Sequence, residues 1–214
     1  MNRFLMSCAA LAFAASSAAA QAPALDQRIE ALAKVWDHVN FETQGAAKAD
    51  GSAALAVQAE ALAQQFPGRA EPLLWKGIAL STEAGAKGGL GALKLAKDAK
   101  AAFEQAEKLG APSDGSVYTS LGSLYYQVPG FPVGFGDKAK AEAYLKKGLA
   151  ANPNGLDANY FYADFLLRQG RADEAQRALQ KALAAPARPG REVQEKGRRA
   201  EINALMAQAR TKRS

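Results

Sequence analysis

The stretch Leu156–Arg188 constrains this chain more than any other. It reads LDANYFYADFLLRQGRADEAQRALQKALAAPAR, two short amphipathic runs joined by a turn at Gln169, Gly170 and Arg171. In the first run Tyr162, Ala163 and Leu166 recur at helical spacing, and in the second Ala175, Leu179, Ala182 and Leu183 do the same. Small side chains at fixed points let two antiparallel helices approach closely. Gly170 supplies the positive φ that ends the first helix. A hairpin this short cannot bury both of its apolar stripes alone, so it predicts stacked neighbours.

Those neighbours are legible upstream. Val117–Gln127 carries Leu121, Gly122 and Tyr125; Asp137–Pro153 carries Ala141, Leu145, Gly148 and Leu149, and Pro153 leads into Leu156 in the same phase. Further back, Glu71–Glu83 (Leu74, Gly77, Leu80) pairs with Ala92–Leu109 (Ala99, Phe103, Ala106). The glycine-rich connection Ala84–Gly91 between them reads as a surface insertion or a mobile flap. Asp26–Val39 and Ser52–Phe66 form a first pair around a loop of Gly45, Gly51 and small residues. Arg191–Arg210, with Val193, Ile202, Leu205 and Met206 on one face, suits a terminal capping helix.

The pattern resembles the tetratricopeptide (TPR) repeat, whose period is about 34 residues. Ala163, Leu166, Ala175, Leu179, Ala182 and Leu183 fall where that motif has its small and large positions. The aromatic expected near the start of the motif is Asn159 here, displaced one step to Tyr160. The resemblance implies an all-α fold, a TPR-like right-handed α-solenoid of three to four helical hairpins over 21–190, with a C-terminal capping helix and basic tail over 191–214. More narrowly, the run LYYQVPGFPVGFGDKAKAEAYLKKGLAANPNGLDANYFYADFLL is similar to the periplasmic T-component family of TRAP transporters, a likeness that covers roughly Leu121 to Leu183. It implies a helical, non-enzymatic associate of a solute-uptake system.

The opening MNRFLMSCAALAFAASSAAAQA places Arg3 before an apolar run from Phe4 to Ala15 and small residues before Gln21. It predicts a signal peptide over residues 1–20, with Ala18-Ala19-Ala20 at the cleavage site. The run is too short to span a membrane. Removing the segment removes Cys8, the only cysteine, and with it any disulfide, thiolate metal site or cysteine nucleophile. Export without cysteine predicts a periplasmic protein, with secretion as the alternative.

The net charge of +6 has a simple geography. From Gln21 to Ala187 there are 18 Lys/Arg and 18 Asp/Glu, whereas Arg188 to Ser214 holds 8 basic residues against Glu192, Glu195 and Glu201. An excess confined to the tail is a poor argument for nucleic acid binding, and none is expected. The tail reads as a solvated capping helix with a frayed basic end.

Little in the sequence suggests catalysis. There is one histidine, His38, beside Trp36, where a structural role is expected. No zinc-binding or phosphate-cradling motif is present, Asp173 and Glu174 point to different helix faces, and neither a metal nor a cofactor is expected. The chemistry that remains is recognition. Val128–Gly136, VPGFPVGFG, is an uncharged loop of two prolines, three glycines and two phenylalanines just before Asp137, a good N-cap. Phe131 and Phe135 either fill core, making the loop a plug, or line a binding site. The TPR likeness implies an inner groove of Ser116, Thr119, Ser123, Tyr126 and Gln127 from one hairpin and Asp157, Tyr160, Asp164, Leu167 and Arg168 from the next. The basic clamp by which chaperone-binding TPR domains take acidic C-termini is not visible. The candidate binding residues are therefore Tyr126, Phe131, Phe135, Tyr160, Asp164 and Arg168. A protein or peptide is the expected partner, and a small hydrophobic or polar ligand in an aromatic pocket under the 128–136 loop is the alternative.

Overall fold

A computed structural model describes residues 11–211, with side chains from Ala24 onward apart from that of Leu90. Nine helices follow one another among these residues: α1 (Leu11–Glu42), α2 (Gly45–Gln65), α3 (Ala70–Lys87), α4 (Gly89–Lys108), α5 (Ser116–Gln127), α6 (Lys138–Ala151), α7 (Leu156–Arg168), α8 (Ala172–Leu183) and α9 (Glu192–Thr211). The only β-type pairing described is an isolated parallel bridge between Gly130 and Gly136. No described helix is long and apolar enough to cross a membrane.

Consecutive helices pair as hairpins, α1 with α2, α3 with α4, α5 with α6 and α7 with α8, and the hairpins stack side by side. The first helices also touch in series, α1 on α3, α3 on α5, α5 on α7 and α7 on α9, which makes them the inner row of a solenoid. The architecture is thus the all-α helical-hairpin solenoid expected from the TPR-like phase. One contact departs from an open row: α9 also packs against α1.

Close approach within each hairpin depends on a small residue facing a large one. A Cβ added at Gly122 would lie 2.7 Å from Leu145 Cγ, and one at Gly77 would run into the Phe103 ring. Ala163 and Leu179, the corresponding pair in α7 and α8, are both fully buried. Gly170, at φ +76°, closes α7 as the sequence predicts, with Arg171 N donating to Leu166 O at 2.9 Å and Gly170 N to Leu167 O at 3.2 Å. Asp137 caps α6 through its Oδ1, which accepts from Ala139 N and Lys140 N at 3.0 Å each. Asn159, standing where an aromatic was expected, is buried and donates from Nδ2 to Pro153 O (3.0 Å) and Gly155 O (2.9 Å), tying the inter-repeat turn to α7.

Two expectations are corrected here. The connection Ala84–Gly91 is neither a flap nor an insertion, because α3 runs to Lys87, α4 starts at Gly89, and Gly88 and Gly89 turn the chain at φ +62° and +63°. Glycine inside a helix costs about 1 kcal/mol relative to alanine, which the packing of two long helices readily outweighs. For the same reason Gly45 and Gly51 belong to α2; a Cβ at Gly51 would lie 3.0 Å from Val39 Cγ2, so the glycine lets α1 come close. His38 is exposed and pairs with Glu42 at 2.8 Å.

Met1–Ala10, the first half of the expected signal segment, lies outside the described residues. The backbone of α1 runs across the expected cleavage boundary, and the first core side chain among the described residues is Leu25, after that boundary. The core forms two clusters, one around Leu25, Trp36, Leu55 and Trp75 and a larger one from Ala70 to Ala209. Ile78 and Leu80 of α3 pack against both.

Candidate functional site

The inner row curves around a cavity of about 780 Å³. Its walls differ in chemistry because each comes from a different helix. One wall is aromatic and aliphatic, with Trp36 from α1 and Leu74, Trp75 and Ile78 from α3. Trp36 lies edge-on to Trp75 at 6.2 Å and donates from Nε1 to Thr82 Oγ1 at 2.8 Å, which fixes its ring. A second wall is neutral and polar: Ser116, Thr119, Ser120 and Ser123, one face of α5, with Asn152 and Asn154 from the turn between α6 and α7. The floor is Asp157 and Tyr160 from α7, and the roof is the start of α9 with the segment before it.

That roof overturns the expectation of a solvated tail. Arg191, Gln194, Arg198 and Glu201 stand three or four residues apart on one helical face, and all line the cavity. Arg198 is only 5% exposed and donates from Nε to Asp157 Oδ1 at 2.8 Å. Arg188 Nη1 reaches Asp157 Oδ2 at 2.9 Å and Gln194 Nε2 reaches the same oxygen at 3.0 Å. Burial by itself would raise the Asp157 pKa, but the Arg198 and Arg188 guanidinium groups outweigh it and hold the carboxyl below its ordinary value. Arg198 also stacks over Tyr160 at 4.2 Å, Phe161 at 4.9 Å and Phe41 of α1 at 5.4 Å. A Cβ at Gly197 would strike the Phe41 ring, so only glycine lets α9 sit this close to α1. Arg199 serves the other side of the helix, donating to Leu183 O and Ala185 O at 2.7 and 2.9 Å and so capping the end of α8. Sequence reasoning missed this roof because an excess of like charge suggests solvent. The signal that was available is the spacing of Arg191, Gln194 and Arg198.

Of the groove positions that the TPR likeness implied, Ser116, Thr119, Ser123, Gln127, Asp157 and Tyr160 line the cavity. Leu167 is buried in the core instead. Tyr160 sits beneath Arg198, and burial, ahead of its charged neighbours, pushes its hydroxyl pKa up to about 12. Tyr126, Asp164 and Arg168 are brought together as a link between α5 and α7: Tyr126 Oη donates to Asp164 Oδ2 at 2.8 Å, Arg168 Nε donates to Asp164 Oδ1 at 3.1 Å, and the guanidinium lies 5.3 Å from the Tyr126 ring centre. Burial and the adjacent Asp164 carboxylate raise the Tyr126 pKa well above its usual value, so the hydroxyl stays a donor.

Phe131 and Phe135 are apart from this site, and no residue of 128–136 lines the cavity. Phe135 packs edge-on against Tyr125 at 5.9 Å, while Phe131 is 94% exposed. The aromatic pocket expected under the loop is therefore replaced by a cavity on the inner face, roofed by α9. The reason lies in the frame of the loop, whose short backbone bonds turn Phe131 away from the helices. Among the described residues no group of three or more His, Cys, Asp and Glu is placed to hold a metal ion.

Residues 133–209, from the end of that loop to near the end of α9, match the tetratricopeptide repeat family model. Among solved structures, TTC0263, a thermophilic TPR protein of Thermus thermophilus, is similar at 19% identity over 76% of this chain and 78% of that one, with a TM-score of 0.56. MamA aligns at 20% identity over 78% of this chain and 89% of its own, with a TM-score of 0.44. The likeness to TTC0263 is one of fold. No curated protein matches the chain by sequence.

Proposed function

We propose that this chain is a non-catalytic binding module that takes a segment of a partner protein into the inner cavity of its solenoid. The observation that carries the reading is the position of the cavity. The first helices of successive hairpins turn Thr82, Ser116, Ser123, Asp157 and Tyr160 toward one shared space of about 780 Å³. A wall of hydroxyl and amide groups facing two tryptophans offers hydrogen bonds and apolar area together, which suits an extended peptide segment. The Asp157 carboxylate at the site is committed to Arg188, Gln194 and Arg198, an arrangement that favours holding over reaction.

The test is site-specific photocrosslinking in the producing cell, with a benzophenone side chain in place of Ser120 in the cavity and, separately, of exposed Lys181 on α8. Protein adducts from position 120 and none from position 181 are expected. Equal labelling from both, or none from position 120, counts against a partner segment in the cavity.

One observation favours a second reading, a small ligand. The roof of α9 narrows access, and the cavity volume of about 780 Å³ falls within the range of roughly 300–1,000 Å³ usual for small-molecule sites. A melting temperature raised by a metabolite pool, and no longer raised in Tyr160→Ala, would select it.

The finer expectations belong to the same proposal. The N-terminal segment supports export to the periplasm, and cell fractionation tests it. The resemblance of Leu121–Leu183 to TRAP T-components supports association with a solute-uptake system. Co-purification with a substrate-binding subunit tests that association.

A further inference from the structure

The loop 128–136 is more tightly built than its packing requires. Gly136 N donates to Pro129 O at 2.9 Å, Val133 N and Gly134 N both donate to Gly130 O at 3.1 Å, and Asp137 N donates to Tyr125 O at 2.8 Å. The two limbs touch, since a Cβ at Gly136 would collide with the backbone of Val128 and Pro129. Phe135 anchors the base against Tyr125, with the Lys100 ammonium 5.8 Å from its ring centre. The frame holds Phe131, Pro132 and Val133 into solvent, with Phe131 94% exposed and Val133 64%. Scattered apolar residues on a helix surface are ordinary. Three in succession at the tip of an ordered loop are different, because the backbone is fixed there without any burial to offset the lost entropy.

The ground around the tip is cationic. Leu93 of α4 lies against the loop, 3.3 Å from where a Gly134 Cβ would stand, and Lys94, Lys97 and Lys100 follow it along α4. Lys138 and Lys140 stand exposed on the first turn of α6, directly after the loop. Across 93–100 and 128–140 the chain has five lysines against Asp98 and Asp137. Lys94 pairs with Asp98 at 2.7 Å, Lys100 with Glu104 at 2.5 Å, and Lys140 lies 3.9 Å from Asp137, which also caps α6, so among the described residues the uncompensated positive charge beside the loop is that of Lys97 and Lys138.

We infer that this loop is a wedge that inserts Phe131, Pro132 and Val133 into the interfacial layer of an anionic phospholipid bilayer, with the exposed Lys97, Lys138 and Lys140 at headgroup level. An aromatic and an aliphatic side chain at the tip leave water for the acyl boundary, while lysine stems lie along the surface with their ammonium groups at the phosphates. The charge decides between occupants. An apolar pocket on a protein accepts Phe131 without any surrounding lysines, whereas a negatively charged sheet uses both features. The contact is peripheral, reversible and weakened by salt.

The full chain is tested by co-sedimentation with phosphatidylcholine vesicles with and without phosphatidylglycerol. Binding that requires phosphatidylglycerol is expected, falling about fivefold or more in the Phe131→Ser, Val133→Ser double variant and in Lys138→Glu, Lys140→Glu. Because the altered side chains are exposed, helical circular dichroism stays unchanged. An independent readout is Phe131→Trp, in which the introduced indole shifts to the blue on phosphatidylglycerol vesicles and is quenched by brominated lipid, against the constant background of buried Trp36 and Trp75. Equal binding by the parent and the double-serine variant overturns the wedge. So does an indole at 131 that brominated lipid leaves unquenched, or that shifts only when a protein fraction replaces the vesicles.

Discussion

Arg191, at the head of α9, holds the carboxylate of Asp37 in α1 with Nη2 at 2.6 Å and Nε at 2.9 Å, across 154 positions of sequence. Asp37 is only 3% exposed, and the same guanidinium lies 5.8 Å from the Trp75 ring centre in α3. One side chain therefore joins the last helix to the first two members of the inner row, and with Arg198 and Arg199 it holds the roof over the cavity.

Arg191→Met leaves the Asp37 carboxylate buried without its cation, which costs about 3 kcal/mol. Urea denaturation is expected to show that loss, and amide exchange is expected to rise in α9 and in the second half of α1. Unchanged exchange in α9 would mean that the roof is held by Arg198 and Arg199 alone.

Acid loosens the same roof through Asp157. Its folded pKa lies below the ordinary 3.8 because Arg198 and Arg188 outweigh the cost of its burial. The group contributes full stability above pH 3.8, where folded and unfolded chains are both ionised. Below 3.8 the unfolded chain takes up a proton that the folded carboxylate still refuses, so stability falls as pH drops through that window. In Asp157→Asn this part of the acid limb of a pH–stability curve is expected to flatten, with a lower plateau at neutral pH.

Two glycine substitutions are expected to have opposite signs. Gly122→Ala places a Cβ 2.7 Å from Leu145 Cγ and destabilises by about 1–3 kcal/mol through overpacking. Gly85→Ala meets nothing within 4 Å on α3 and stabilises by roughly 0.4–1 kcal/mol through the unfolded chain. Thermal unfolding of the two variants beside the parent decides both.

The contrast between these glycines marks what the sequence made legible. Ala163, Ala175 and Leu179 announced hairpins through their spacing, because helix contact itself sets that period. Gly170 announced its turn, as did Asp137 its cap. Gly85 and Gly91 misled, since local composition favoured a loop while the packing of α3 on α4 carried the helices through. The roof was the larger omission. Whether an arginine faces water or a buried aspartate depends on what stands opposite, and Asp157 and Asp37 are remote in sequence from Arg198 and Arg191.

Asp137→Ala removes the acceptor for two amides at the start of α6 and costs about 1 kcal/mol. Exchange at Ala139 and Lys140 is expected to rise while α8 stays protected. If Asp137 also steadies the loop tip, vesicle binding falls in parallel.

A stack of hairpins is ordinarily extensible, and copies can be spliced in without disturbing those already present. Here the hand of Arg191 must still find Asp37. Duplicating α5 and α6 would carry α9 away by the width of two packed helices, roughly 8–10 Å each, far past the reach of any hydrogen bond. Because its two ends clasp, this array has a set membership, and the size of the space it encloses is written into the number of its hairpins.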